Sequence, residues 1–174
     1  MAVSRVSNML NEPDILRFLD ENAITYQRLE HPPVYTCEDA DLVRPMLAGE
    51  HIKNIFFRDE GSKHFFLAVA RCEKRIDSRA LGRSLHAHKL HLGSPEQLLA
   101  LLGVTPGAVS ILGLINDVDC RVELVFDAEI WQSEAFLCHP LVNTATLVIS
   151  RQGLLQFCQL THHPARVVEM AERS

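Results

Sequence analysis

HIKNIFFRDEGSKHFFLAVAR, residues 51–71, decides the fold. Two apolar runs, 52–58 and 64–70, are separated by DEGSK, the pattern of an antiparallel hairpin. Side chains on a strand alternate between faces. Ile52, Asn54 and Phe56 therefore share one face, and Lys53, Ile55 and Phe57 share the other. A strand that is apolar on both sides is expected to be buried on both sides. A lone ammonium is costly there unless it finds a partner. Lys53 and Asn54 become the first candidate functional residues.

The sequence on either side predicts how that hairpin is covered. PDILRFLDEN (13–22) carries an apolar stripe at helical spacing, with Pro13 suited to a first turn. A short strand over 25–29 follows, then a proline-stiffened loop, HPPVYTCEDADLV, with Thr36 or Cys37 starting a helix rich in early acids. Beyond the hairpin, a helix over 78–85 would set Arg79 and Arg83 on one face. SPEQLLALLG (94–103) has every helix signal: Ser94 to cap, Pro95 in the first turn, Gln97 for a capping box and Gly103 to stop. TPG then leads into a predicted strand over 108–115. CRVELVF (120–126) alternates, with Cys120, Val122, Leu124 and Phe126 inward and Arg121 and Glu123 outward. Asp127 reads as the cap of another short helix, 144–149 as a strand, SRQGLLQFCQL as a late helix, and 164–172 as a last amphipathic piece. Strands and helices alternate irregularly, which predicts a mixed α/β (α+β-like) fold rather than a doubly wound parallel sheet.

With 174 residues, 47% hydrophobic and 22% charged, the chain has the size and composition of one globular domain spanning 1–174. No apolar run reaches the roughly 18–20 residues of a membrane span. MAVSRVSNMLNEPD lacks the apolar segment of a secretory signal, so a cytoplasmic location is expected. Five scattered cysteines (37, 72, 120, 138 and 158) form no CxxC pair and are expected as reduced, mostly buried thiols. The net charge is −5, yet 71–91 alone carries +4, leaving −9 elsewhere. In that segment Arg79 and Arg83 stand one helical turn apart, a candidate footprint for phosphates.

GxGxxG, P-loop, GxSxG and HExxH patterns are all absent. His86, His88 and His91 match no strong metal template and sit among cations, so neither a metal nor a cofactor is expected. Three polar constellations interrupt apolar stretches: Lys53–Asn54, TPGAVSILGLIND (105–117) with Gly107 and Gly113, and HPLVNTAT (139–146) with His139, Asn143, Thr144 and Thr146. Their coincidence in one small domain points to a shared pocket.

HPPVYTCEDA, the Lys53–Asn54 pair, LGSPEQLLALLGVTPGAVS, GLIND and HPLVNTAT occur in an order that resembles the YbaK/prolyl-tRNA synthetase-associated editing domains. The free-standing Ala-tRNA(Pro) deacylases are the most similar branch. The resemblance runs over about 12–170 and implies a curved mixed sheet flanked by helices. It implies hydrolysis of the ester between a wrong amino acid and the tRNA 3′ end, with Lys53, Asn54 and His139 in the catalytic positions. The substrate-facing loop would be Gly107, Ala108, Val109, Ser110, Ile111, Leu112 and Gly113, with Ile52 and Asn143 beside it. Ile111 stands where that family's loop usually has proline, which leaves open the amino acid removed: alanine, or cysteine, serine, threonine or a non-protein residue.

On that reading Lys53 meets the anionic terminal nucleotide or its ester-bearing end and is paired only when substrate is bound, while Ile52, Ile111 and Leu112 form walls that refuse proline. Water attacks directly, and backbone N–H groups of 107–113 hold the oxyanion. Arg79 and Arg83 hold the acceptor stem. The implied partners are mischarged tRNA(Pro) and, transiently, prolyl-tRNA synthetase, with no membrane or DNA partner. A non-catalytic RNA-binding module is the rival from another class.

Overall fold

A computed structural model describes residues 9–42, 46–61 and 63–173. Its trunk is β2 (Glu50–Asp59), which pairs antiparallel with β3 (Phe65–Arg71) as the hairpin pattern predicts. β3 pairs parallel with β5 (Val122–Asp127), and β5 with β8 (Arg166–Val168). On the other edge of β2 lies β6 (Ala135–Cys138), then β7 (Ala145–Ser150) and β1 (Tyr26–Glu30). The eight-stranded order is β1-β7-β6-β2-β3-β5-β8, with β4 (Leu90–Leu92) also on β2. The sheet is mixed.

The two faces of the trunk are both buried, by different elements. Ile52 and Phe56 join Phe65, Leu67, Val69, Leu124 and Phe126 in the larger core. That core is closed by α1 (Glu12–Glu21), α4 (Pro95–Leu102) and α5 (Arg151–Leu160) through Ile15, Leu19, Leu98, Leu102, Leu154 and Phe157. Phe57, Phe66, Ala68, Ala70 and Val125 form the second core, under Leu81 and Leu85 from α3 (Ser78–Ser84) and its C-cap. Each helix has the start its sequence supplies. Asn11 and Ser94 complete capping boxes, while Asp77 and Ser150 accept first-turn amides, and α4 ends at Gly103 in the left-handed region at φ 66°.

One feature of β2 opens the sheet. β6 pairs only with Glu50 and His51, and β4 only with residues 57–59. Between them, Gly93 N–H reaches Phe56 O at 2.9 Å, and, among the described residues, 52–55 have a strand neighbour on the β3 side alone. The sheet forks at the Lys53–Asn54 pair.

Several sequence expectations are corrected. Residues 108–115 form no strand: Ile111–Asn116 is a 3₁₀ helix whose N-cap, Ser110, accepts the Leu112 amide at 3.2 Å. Ile111, Leu112 and Leu114 are all fully buried, so the run lacks the polar face that would distinguish a helix from a strand. Asp127 caps no helix. It ends β5, where Lys74 Nζ meets Oδ2 at 2.7 Å and Oδ1 accepts from Met170 N–H. Cys120 is exposed at φ 50° before β5 rather than inward, and Val125 points to the second core. The 164–172 piece contains the short strand β8. β4 and β6 have no counterpart in the sequence reading.

Not all cysteines are thiols. Cys37, at the start of α2 (Cys37–Asp41), and Cys72, just past β3, form a disulfide with Cα atoms 6.0 Å apart. Cys138 and Cys158 are buried thiols, each pushed by burial up to about 12. Among the described residues no helix is long and apolar enough to cross a membrane.

The GLIND stretch ends in a buried polar knot. Asp117 Oδ2 accepts the Val122 amide at 2.7 Å and lies 3.1 Å from His163 Nε2. Burial opposes ionisation of Asp117, but the His163 bond and the Val122 and Arg121 amides outweigh it and lower its pKa below the ordinary 3.8. Its stabilising contribution is therefore complete above that range and is lost as pH falls through the lowered value. Asp117→Asn should cost about 1.5–3 kcal/mol in urea unfolding at pH 7. It should also flatten the decline in stability on the acid side of pH 4.

Candidate active site

Where β2 lacks a strand on one edge, two hollows that share five lining residues lie side by side. The outer cleft, about 210 Å³, is lined by Val34, Tyr35, Thr36, Cys37, His51, Ile52, Lys53, Asn54, Cys72, Gly107, Val109 and His139. The inner cavity, about 40 Å³, shares Val34, His51, Ile52, Asn54 and His139 and is closed by His31, Leu47, Leu137, Cys138 and Thr146. All three polar constellations thus reach one site, through Lys53–Asn54, Gly107 and His139.

Asn54 shares its face of β2 with Ile52 and Phe56. Its Oδ1 is closed off from solvent and has no hydrogen-bond partner among the described residues. An unmade hydrogen bond on a buried amide costs about 1–3 kcal/mol.

His139 comes from the turn between β6 and β7. Its Nδ1 donates to Ala145 O at 3.1 Å. Burial is the main influence on the ring, and with His31 and His51 nearby it outweighs the Ala145 bond, lowering the pKa below 6.5. The ring is therefore neutral at physiological pH. With the proton fixed on Nδ1, Nε2 keeps its lone pair for an acceptor role. His31 stands beside it, ring centroids 6.4 Å apart, with Nδ1 donating to Pro32 O and Nε2 meeting Thr146 Oγ1, each at 2.8 Å.

Lys53 lines the outer cleft, but its side chain leaves β2 on the face opposite Asn54. Partial burial lowers its pKa and Arg75 adds to that, while Glu73 and Glu172 oppose it. Lys53 is thus a cation of the rim, its charged form favoured by Glu73 and Glu172 and opposed by burial.

The glycine-bounded loop contributes less than expected. Of its residues, Gly107 and Val109 line the cleft. Ala108, Ser110, Ile111, Leu112 and Gly113 are buried in the fold. The Ala108, Leu112 and Gly113 amides are already engaged with Thr105 O, Ser110 Oγ and Ser110 O. Gly113 packs so closely on α4 that a Cβ would lie 3.1 Å from Leu102 O. Ile111 and Leu112 are therefore not pocket walls. Leu137 and Val34, with Ile52, supply the apolar lining instead. Asn143 acts through another segment: its Nδ2 donates to Val34 O at 3.2 Å and its carbonyl accepts from Val34 N–H at 3.1 Å. Arg79 and Arg83 are not in the cleft. They line a separate groove of about 370 Å³ with His88 and Lys89, beside α3.

A sequence profile described as the aminoacyl-tRNA editing domain matches residues 31–157, which contain the whole cleft. The chain belongs to the aminoacyl-tRNA editing domain family. A relative from Acetoanaerobium sticklandii, the prolyl-tRNA editing protein ProX, is 32% identical over 156 residues, 90% of this chain and 95% of its own. The prolyl-tRNA synthetase associated domain-containing protein 1 of Danio rerio is 32% identical over 152 residues, 86% and 82% of the two chains. The solved structure of a candidate trans-editing enzyme for prolyl-tRNA synthetase matches the fold with TM-score 0.69 at 17% identity, covering 99% of this chain and 98% of its own.

The sequence reading of this editing domain missed His31, His51, Leu137 and Tyr35. One signal was available for His31. His–Pro occurs at 31–32, 139–140 and 163–164, although the third histidine lies in the Asp117 knot.

Two-bond ¹H–¹⁵N spectra at pH 7.5 should show His139 with its proton on Nδ1, titrating below 6.5. On acidification the unfolded chain takes up that proton first, so stability falls as pH drops below 6.5. His139→Gln should remove that part of the slope.

Proposed function

We propose that this editing domain, acting as one unit over 1–174 with its core in 12–170, hydrolyses the ester of mischarged tRNA(Pro), above all Ala-tRNA(Pro). The observation that carries the reading is the adjoining pair of hollows. The outer cleft offers polar groups to an ester, and the inner cavity offers about 40 Å³ between apolar side chains (Val34, Leu47, Ile52 and Leu137) and polar ones (His31, Asn54, His139 and Thr146), the scale of one or a few heavy atoms. A methyl side chain fits such a space and a prolyl ring does not. The names of the bacterial and fish relatives support a link to prolyl-tRNA and its synthetase.

Water attacks the ester carbonyl carbon, and collapse of the tetrahedral intermediate releases the amino acid and the ribose hydroxyl. Asn54 and the neutral Nε2 of His139 orient the ester and the water. Of the loop amides, those of Gly107 and Val109 are assigned to the developing oxyanion, an effect worth about 2.7–4 kcal/mol per donor. An aminoacyl ester is labile enough to need no covalent intermediate, and the mechanism uses none. Lys53, at the rim, faces the terminal phosphodiester. Arg79 and Arg83 continue the cationic surface on the side of the sheet that bears Lys53 and hold the acceptor stem. The synthetase acts as a transient partner that supplies the mischarged product.

A synthetase site built for proline discriminates weakly against a smaller side chain, because a methylene changes binding by only about 1–3 kcal/mol. A second site that excludes the larger, correct product restores fidelity. Purified protein should deacylate Ala-tRNA(Pro) and spare Pro-tRNA(Pro); equal rates on both would overturn the assignment. Lys53→Ala should lower kcat/KM on Ala-tRNA(Pro) by about 10- to 150-fold, the worth of one hydrogen bond to a charged group, with an unchanged unfolding midpoint. Replacing Arg79 and Arg83 together by Ala should reduce the salt dependence of tRNA binding by about two phosphate contacts.

A further inference from the structure

We propose that Tyr35 is the platform on which the base at the free 3′ end of the RNA stacks, a subsite distinct from the cavity that reads the amino acid. This rests on the ester-hydrolysing reading of the same cleft and names how the nucleotide carrying the ester is held.

Tyr35 is 70% exposed, among the most exposed large apolar side chains described. Its ring adds nothing to either core, so the fold gives no reason for an aromatic group there. It nevertheless stands on the wall of the outer cleft, together with Asn54, Lys53 and His139. The ring also rests on Gly107: a Cβ at that position would lie 3.1 Å from Tyr35 Cδ1. Gly107 has φ 90°, which L side chains rarely adopt, so the backbone there is both shaped and pared down where the ring lies.

The chain bearing the ring is pinned on both sides. Val34 exchanges hydrogen bonds with Asn143 through its N–H and its carbonyl. The Tyr35 and Thr36 amides both donate to Asp39 Oδ2 at 3.1 Å, and Asp39 N–H returns to Thr36 Oγ1. Two residues beyond Tyr35, the Cys37–Cys72 disulfide ties the segment to the end of β3. An exposed aromatic ring on backbone this firmly anchored is already positioned before a partner arrives.

The partner is fixed by what else lies in the cleft. With the aminoacyl ester at Asn54 and His139, the base of the same nucleotide must leave the cleft across its wall. Unpaired RNA bases are bound chiefly by stacking on aromatic rings, without regard to base identity. Lys53 on the rim suits the adjoining phosphate.

The test uses an acceptor-stem hairpin whose 3′-terminal base is 2-aminopurine. Binding to the full-length protein should quench its fluorescence. Tyr35→Ala should abolish the quenching, while Tyr35→Phe and Tyr35→Trp should keep it. On Ala-tRNA(Pro), Tyr35→Ala should lower kcat/KM by about 5- to 150-fold, mainly through KM, matching the usual worth of one stacked base. On an alanylated hairpin with an abasic 3′ terminus, wild type and Tyr35→Ala should be equal. Quenching that survives in Tyr35→Ala, together with deacylation within twofold of wild type, would overturn the stacking subsite and leave the deacylase reading standing. Tyr35-dependent quenching without deacylation of any alanylated RNA would do the reverse. A bound hairpin whose terminal base stays unquenched in the wild type also sinks the subsite.

Discussion

The site depends on a single strand having more neighbours than one edge can serve. β2 needs both faces covered, because apolar residues alternate with apolar residues along it. The helices supply that cover through two separate cores. Its outer edge is then shared by β6 at one end and β4 at the other, which diverge and, among the described residues, leave 52–55 without a strand on that side. A polar pair in such a strand would ordinarily be a liability. Here Lys53 and Asn54 fall in the gap, so the amide looks into a hollow and the ammonium reaches the rim. The cost of leaving Asn54 Oδ1 unbonded is borne by a strand otherwise buried on both faces.

The electrostatics of the hollow suit a neutral reaction centre. Burial and two neighbouring imidazoles hold His139 uncharged, and the Ala145 carbonyl decides which nitrogen carries the proton. The cations stay outside. Lys53 lines the rim of the outer cleft, and Arg79 and Arg83 lie beside α3 in their own groove. Charge at the periphery and polarity without charge at the centre is the division expected where a polyanion must be held while a labile ester is cut. A strong cation deep in the cleft would favour any carboxylate, the product included.

How much of this was legible in the sequence depends on whether local signals carried it. The hairpin of β2 and β3 and the helix at 95–102 were legible because alternation, a capping box and a stop glycine are written within a few residues. The 105–117 stretch was not, because Ile111, Leu112 and Leu114 are buried on all sides and no periodicity survives to separate a 3₁₀ helix from a strand. The Cys37–Cys72 link was hidden for another reason. Its partners are 35 residues apart and meet only because the hairpin returns past α2. Lys53, Asn54, Gly107 and His139 could be picked out as polar interruptions of apolar segments. His31, His51 and Tyr35 lie in stretches that look like ordinary loop or strand ends, and only the folded sheet brings them to the cleft.

The substitution of isoleucine for the proline usual in related loops takes on a different meaning once that loop is seen. Position 111 is the first residue of the 3₁₀ helix, directly after the Ser110 cap. A proline is favoured at such a position because its fixed φ suits the first turn and its missing N–H costs nothing. Isoleucine gives up that preorganisation, and the Ser110 hydroxyl, by accepting the Leu112 amide, provides a local tie in its place. Its side chain points into the larger core at 0% exposure. The exchange therefore bears on how firmly the loop is set and not on the shape of the cavity. The apolar side chains that line the cavity are instead Ile52, Val34, Leu47 and Leu137, drawn from the fork in the sheet and the segments beside it.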